Sequence, residues 1–263
     1  MSSKVTAKLR LGAAFSVLLI SLTLLAGCKQ EASVDNNSYT PPGYGTTVGF
    51  LTDTVWKNES GTIRFGAEGK VVDVPKDWKT NGVEFGDFTY NGGKIFAKVK
   101  KLGELPKELA ELFEDLVGTT SEFATFTVPR TAPIQIQDEY GGTTTTQKKY
   151  YYEMEVTIGG EPTPFTMENK PTSGDKFVGT YYDVQGRKAI QINKDGTFVT
   201  FSSGGQSIQY WEYNGDGTIS VQSTPFTDNP GSMGSSTSTS STIYYLYPHA
   251  LMRDGSSSPV AYK

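Results

Sequence analysis

One strand–turn–strand pattern occurs twice along the chain, and it restricts the fold more than any other feature of the sequence. In the first half, Gly61-Thr62-Ile63-Arg64-Phe65 leads through Gly66-Ala67-Glu68-Gly69 into Lys70-Val71-Val72-Asp73-Val74. Val83 to Tyr90 then meets Asn91-Gly92-Gly93 and returns as Ile95-Phe96-Ala97-Lys98-Val99. In the second half, Ala189-Ile190-Gln191-Ile192 turns at Asn193-Lys194-Asp195-Gly196 into Thr197-Phe198-Val199-Thr200-Phe201. Tyr210-Trp211-Glu212-Tyr213 then turns at Asn214-Gly215-Asp216-Gly217 into Thr218-Ile219-Ser220-Val221. Apolar and polar side chains alternate on either side of the turns, the period-two signature of strands with one buried face. Asn-Gly supplies the positive φ angles that short hairpins need. Ile63 aligns with Ile190, Phe65 with Ile192 and Gly69 with Gly196 at identical spacing; Tyr90-Asn91-Gly92 aligns with Tyr213-Asn214-Gly215, and Ile95 with Ile219 after one inserted residue. The pattern predicts an internal duplication of a four-strand antiparallel meander, with two unrelated generic hairpin runs as the alternative.

Between the copies lies material of another kind. Leu105, Leu109, Leu112, Phe113 and Leu116 share one helical face, and Glu108, Glu111, Glu114 and Asp115 the other. Pro106 in the first turn and Gly118 after the last complete the expectation of one amphipathic helix over 105–117. Strands are predicted at Phe123 to Val128 and Pro133 to Gln137. A single long strand is predicted from Lys149 to Ile158, with Tyr150, Tyr152, Met154, Val156 and Ile158 on one face. Gly159-Gly160-Glu161 turns it into Pro164 to Met167. The polar, proline- and glycine-bearing run Asn169 to Asp175 is the best domain boundary. The serine- and threonine-rich run 224–242 reads as a long disordered loop, and Ile243 to Met252 and Pro259 to Tyr262 as short closing strands.

The N-terminus sets the location. Lys4, Lys8 and Arg10 precede an apolar run from Leu11 to Leu25, and Leu25-Ala26-Gly27-Cys28 follows. A charged, then apolar, then small-residue order is that of a secretory signal peptide. The tetrapeptide resembles the lipobox of bacterial lipoproteins. That resemblance, over residues 1–28, implies cleavage before Cys28 and its acylation; an ordinary secretory signal or a short membrane helix with an incidental cysteine is the alternative. Residues 1–27 are then a signal peptide, and 28–48 a lipidated cysteine and flexible tether too poor in apolar side chains to offset its ordering entropy. Cys28 is the only cysteine, so no intramolecular disulfide forms. Cleavage lowers the formal net charge from −4 to −7, which argues against nucleic acid as a partner. Membrane contact is expected through the acyl chains, with the protein lipid-anchored in the bacterial cell envelope and facing the periplasm or the exterior.

Each copy has an aromatic start, an Ile-x-Ile or Ile-x-Phe strand, an acidic-Gly turn and an Asn-Gly turn. This resembles the small lipocalin-like domains of bacterial lipoproteins. Gly179-Thr180-Tyr181 falls where calycins begin their first strand with Gly-x-Trp, with tyrosine in place of tryptophan; Trp56 has no glycine two residues before it. The resemblance implies two all-β, meander or barrel-like halves, 49–170 and 175–263, of a kind that in some members holds small apolar ligands. Neither copy reads as long enough for a full eight-stranded barrel.

Chemistry is sparse. Glu212-x-Asn214-x-Asp216-Gly217-Thr218-Ile219 has the alternating oxygens of a calcium loop, but Ser223 stands where the bidentate glutamate belongs and strands flank it, so a plain hairpin turn is favoured. His249 is the only histidine, which excludes multi-histidine metal sites. Asp138-Glu139 and Glu153/Glu155 are the candidates for paired-carboxylate hydrolysis, although such acids on a strand usually form a solvated face. The aromatics Trp56, Tyr152, Tyr181, Trp211 and Tyr213 either line a ligand site or fill cores. The expected function is non-catalytic: an interaction module for a protein or glycan, needing no metal or cofactor. Carriage of a small apolar ligand is the alternative, and a carboxylate-dependent hydrolase the second alternative.

Overall fold

The computed structural model describes residues 40–263 except 43, 60, 67–70, 76–81, 104–106, 108–110, 112–113, 120–123, 159–160 and 227–239. Two compact units emerge: residues 45–168, and residues 169–263 joined by the described residues 40–44. Both are antiparallel β-barrels.

The first unit opens with a 3-10 turn at Gly49–Leu51. Ten strands follow: β1 Val55–Asn58, β2 Gly61–Phe65, β3 Val71–Pro75, β4 Val83–Asn91, β5 Lys94–Leu102, β6 Ala124–Thr127, β7 Arg130–Gln137, β8 Thr143–Tyr150, β9 Glu153–Ile158 and β10 Thr163–Met167. Eight of them close into a barrel in the order β1-β10-β9-β6-β5-β4-β3-β2, while among the described residues β7 and β8 pair only with each other. Omitting that hairpin, every strand neighbours the next in sequence, an up-and-down meander. The seam is made by Trp56 opposite Met167 and Lys57 opposite Thr166. Beyond it the Glu168 amide donates to the Val55 carbonyl over 2.8 Å, and the Lys57 ammonium pairs with the Glu168 carboxylate.

The second unit opens with a 3-10 turn at Gly174–Lys176. It continues through β11 Gly179–Tyr182, β12 Lys188–Ile192, β13 Thr197–Ser202, β14 Gly205–Tyr213, β15 Thr218–Gln222, β16 Thr242–Tyr247, β17 Ala250–Arg253 and β18 Ala261–Tyr262. These run in sequence order around the barrel. Its seam is narrow: β18 has two residues, and Tyr182 opposite Tyr262 is the one register position joining it to β11.

The halves share a strand plan. Trp56 lies opposite Ile63 in the first barrel, and Tyr181 opposite Ile190 in the second. Ile63 and Phe65 pair with Asp73 and Val71; Ile190 and Ile192 pair with Thr200 and Phe198, in the same register. Tyr90 lies opposite Ile95, and Tyr213 opposite Ile219, so the inserted residue is absorbed in the turn. The first turn holds Gly92 and Gly93 at φ 59° and 82°. Gly69 lies outside the described residues.

Several expectations change. The four-strand meander is present in both halves as β2–β5 and β12–β15, but each lies within a full eight-stranded barrel, because strands of two to six residues joined by tight turns suffice for most of the circuit. The run Lys149 to Ile158 is two strands: the chain turns at Tyr151–Tyr152, so β8 leaves with β7 while β9 enters the barrel between β6 and β10. Tyr150 therefore does not share a barrel face with Met154. Ile243 to Met252 is a hairpin turning at Pro248–His249. The tether expected over 28–48 ends earlier: Pro41 and Val48 are buried, and the Tyr44 ring meets Tyr262 edge-on at 6.1 Å. Of the helix expected over 105–117, most lies outside the described residues; Lys107, Glu111 and Glu114 are helical.

The cores follow strand alternation. On β5, Ile95, Ala97 and Val99 are buried while the residues between them face outward. Phe126 receives the edges of Phe65 at 6.0 Å and Phe85 at 5.8 Å, the packing aromatic quadrupoles favour. In the second barrel Phe198 packs on Tyr244 at 5.0 Å.

Candidate functional site

The five candidate aromatics fall into two groups, one per barrel. Trp56 and Tyr152 flank the first seam: Trp56 stands opposite Met167, whose amide donates to the Tyr152 carbonyl over 2.8 Å. Trp56 exposes 0% of its surface and Tyr152 5%. The Trp56 indole N–H donates to the Thr54 hydroxyl over 2.8 Å. In the second barrel Tyr181 belongs to the core, and Trp211 and Tyr213 pack against that core half-buried. The Tyr181 hydroxyl donates to the Phe177 carbonyl over 2.6 Å, the Trp211 indole N–H to the Asn193 carbonyl over 2.8 Å, and the Tyr213 hydroxyl to the Pro171 carbonyl over 3.4 Å. The polar tips of Trp56, Tyr181, Trp211 and Tyr213 are thus spent on the protein itself.

A hollow barrel exposes its lining to whatever fills it. Ile63, Phe126 and Met154 in the first barrel, and Ile192, Phe198 and Ile219 in the second, expose none of their surface. At one end of the second barrel Phe177 joins the core and the Pro171 carbonyl accepts from Tyr213. The Lys263 ammonium, reaching back from the C-terminus, donates to the Lys176 carbonyl over 2.9 Å and lies 5.6 Å from the Tyr181 ring centre. Burial, then the neighbouring Lys176 charge, pulls the Lys263 pKa down.

At that end two turns are built alike. Asn193 and Asn214 each donate a side-chain N–H to the hydroxyl of the threonine four residues on, over 2.9 and 2.7 Å. Asp195 and Asp216 each accept from the amide and hydroxyl of that threonine. Gly196 and Gly217 hold φ at 84° and 97°, where a side chain is strained. The Thr197 bonds hold the Asp195 carboxyl below its ordinary pKa. The oxygens of the calcium-like sequence therefore close a hairpin, with Asn214 Oδ1 also accepting from Ser220.

The remaining candidates are dispersed. The Asp138 carboxylate accepts from the amides of Tyr140 and Gly142 and shapes a turn. Glu153 is tied to Arg130 at 2.7 Å, both half-buried. His249 sits in the β16–β17 turn, its carbonyl accepting from the Lys263 amide. Cys28 lies outside the described residues. What the sequence reading missed is the β7–β8 arm; its signal was the run Thr143-Thr144-Thr145-Thr146, strongly β-prone yet with no apolar face.

Burial pushes the Tyr181 hydroxyl well above its ordinary pKa, and Tyr244 and Tyr262 in the same direction. A group whose folded pKa is raised stabilises the fold below its unfolded value and loses that contribution as pH climbs toward the folded one. The second barrel is therefore expected to lose stability above about pH 10, and Tyr181→Phe to flatten that loss, read as melting temperature against pH by circular dichroism. Equal alkaline sensitivity in the variant would assign it to other groups.

No protein-family model matches this chain, and no curated protein or solved structure matches it.

Proposed function

We propose that this chain is a lipid-anchored protein of the bacterial cell envelope, and that its two barrels act as a non-catalytic binding or interaction module working through their outer surfaces. The observation that supports a surface over an interior role is the packing of the barrel centres, where Trp56, Phe126, Ile192 and Phe198 expose none of their area. An apolar ligand would have to displace these side chains, and each buried aromatic or aliphatic group contributes about 1.5–3 kcal/mol to the fold. The anchor reading rests on Lys4, Lys8, Arg10, the apolar run and Leu25-Ala26-Gly27-Cys28.

Native mass spectrometry of the full chain released from membranes is expected to show the protein with its covalent lipid and nothing more. A stoichiometric, non-covalent apolar passenger would sink the surface reading in favour of carriage. Cys28→Ser is expected to remove acylation, because that reaction needs the thiol, and to shift the protein out of the membrane fraction or leave it unprocessed. Full processing and membrane retention of the variant on fractionation would refute the anchor.

A further inference from the structure

We propose that the β7–β8 arm joins two copies of this chain, strand β8 of one pairing antiparallel with β8 of the other. The hairpin stands apart from both barrels' ladders: β7 and β8 pair with each other and, among the described residues, with no other strand. Its residues are exposed or half-exposed throughout, with Ile136 51% and Tyr140 96% accessible. At eight residues per strand it reaches about 27 Å. An isolated two-stranded ribbon of this kind is marginally stable, and further strands on its edge make it a sheet.

The register decides which edge is open. The Asp138 amide donates to the Gly142 carbonyl over 2.8 Å, and Arg130 to Gln137 pair with Tyr150 to Thr143 in step with it. In an antiparallel ladder hydrogen-bonded and non-hydrogen-bonded pairs alternate, so the even-numbered residues bond across the hairpin and the odd-numbered ones aim their backbone outward. Pro133 thus stands on the outer edge of β7, where it lacks an N–H and its ring obstructs an incoming strand. The outer edge of β8 carries Thr143, Thr145 and Gln147, with no proline.

Charge selects the occupant. Asp138 and Glu139 sit at the tip, and Lys148 and Lys149 at the base. Antiparallel pairing centred on Thr145 sets Thr143 of one copy opposite Gln147 of the other and brings each lysine pair to the other copy's acidic tip. Parallel pairing would set four lysines side by side, which is destabilising. The arm is also held ready: the Arg130 guanidinium bonds Glu153 of β9 at 2.7 Å and lies 4.8 Å from the Tyr150 ring centre, with the Lys148 ammonium 5.3 Å from the same ring. Such pre-ordering reduces what association must spend on entropy.

Sedimentation equilibrium of the full chain in density-matched detergent tests this pairing without depending on the anchor. A salt-sensitive dimer is expected. Thr145→Pro, which removes an outward donor of β8, should raise its dissociation constant about tenfold or more, while Gln135→Pro on the already blunted β7 edge leaves it unchanged. Glu139→Lys and Lys149→Glu should each weaken the dimer and together restore it, a recovery that misfolding cannot produce. A monomeric wild-type chain, including one that captures another envelope protein through the arm, would overturn self-pairing; so would a dimer indifferent to Thr145→Pro.

Discussion

Replacing Ile63 with aspartate is expected to unfold the first barrel and spare the second, and Ile190→Asp to do the reverse. Ile63 is fully buried and Ile190 exposes 5%. Each sits opposite the aromatic that opens its barrel. Losing the aliphatic side chain removes roughly 1.5–3 kcal/mol. A carboxylate in its place must either stay charged without a partner or take up a proton, at several kcal/mol more. The sum exceeds about 4 kcal/mol, a large part of the stability of a domain this size. Gln191, between the two inward positions of β12, faces outward and accepts a hydrogen bond from Thr180 over 2.7 Å. Gln191→Asp should therefore cost about 1 kcal/mol at most. Differential scanning calorimetry of the wild type is expected to resolve two transitions, with one isoleucine variant deleting each. A single transition abolished by both would mean one cooperative body.

Trp56→Ala should rank next, at about 3–5 kcal/mol on the first transition. It empties the centre of a seam and leaves the Thr54 hydroxyl without its indole donor. Trp56→Phe should recover most of the loss. If Trp56 instead served a ligand, its removal would change binding and leave the melting temperature nearly untouched, and a shift corresponding to under about 1 kcal/mol would favour that role. The duplicated plan makes the same demand of Tyr181, where the opening aromatic is smaller and uses its hydroxyl to hold Phe177.

The parts of the fold that could be read from residues are those governed by local chemistry. Period-two alternation around glycine turns placed Ile63, Phe65, Ile190 and Ile192 inward, and a one-residue slip would have reversed all of them. The closing strands are legible as short runs at Pro164 to Met167 and Pro259 to Tyr262, but not as the strands that seal a barrel. β10 alternates with Phe165 and Met167 inward, whereas β18 has two residues with only Ala261 buried, so the two seams share no common signature. At Tyr150-Tyr151-Tyr152 the β-prone residues argue for continuity, yet the chain turns there because β9 must enter the ladder between β6 and β10. The outward side chains Tyr245, Tyr247 and Met252 are buried as well, so on β16 and β17 alternation does not separate core from surface. The candidate aromatics are large and amphipathic, and their type is legible in the sequence. The Trp211 and Tyr213 bonds to Asn193 and Pro171 depend on partners 18 and 42 residues away, which no spacing reveals, whereas Tyr181 bonds Phe177 four residues before it.

The position of the two seams along the chain sets an order of assembly. The first barrel is complete once Met167 has been made, since β10 closes it against β1. The second waits for Ala261 and Tyr262 of β18, which joins β17 to β11, and for the Lys263 side chain that bonds the Lys176 carbonyl. Chains that emerge N-terminus first can thus finish one half while the other is still being delivered. Loss of β18 would leave seven strands with two open edges, the form most prone to pair with a neighbour.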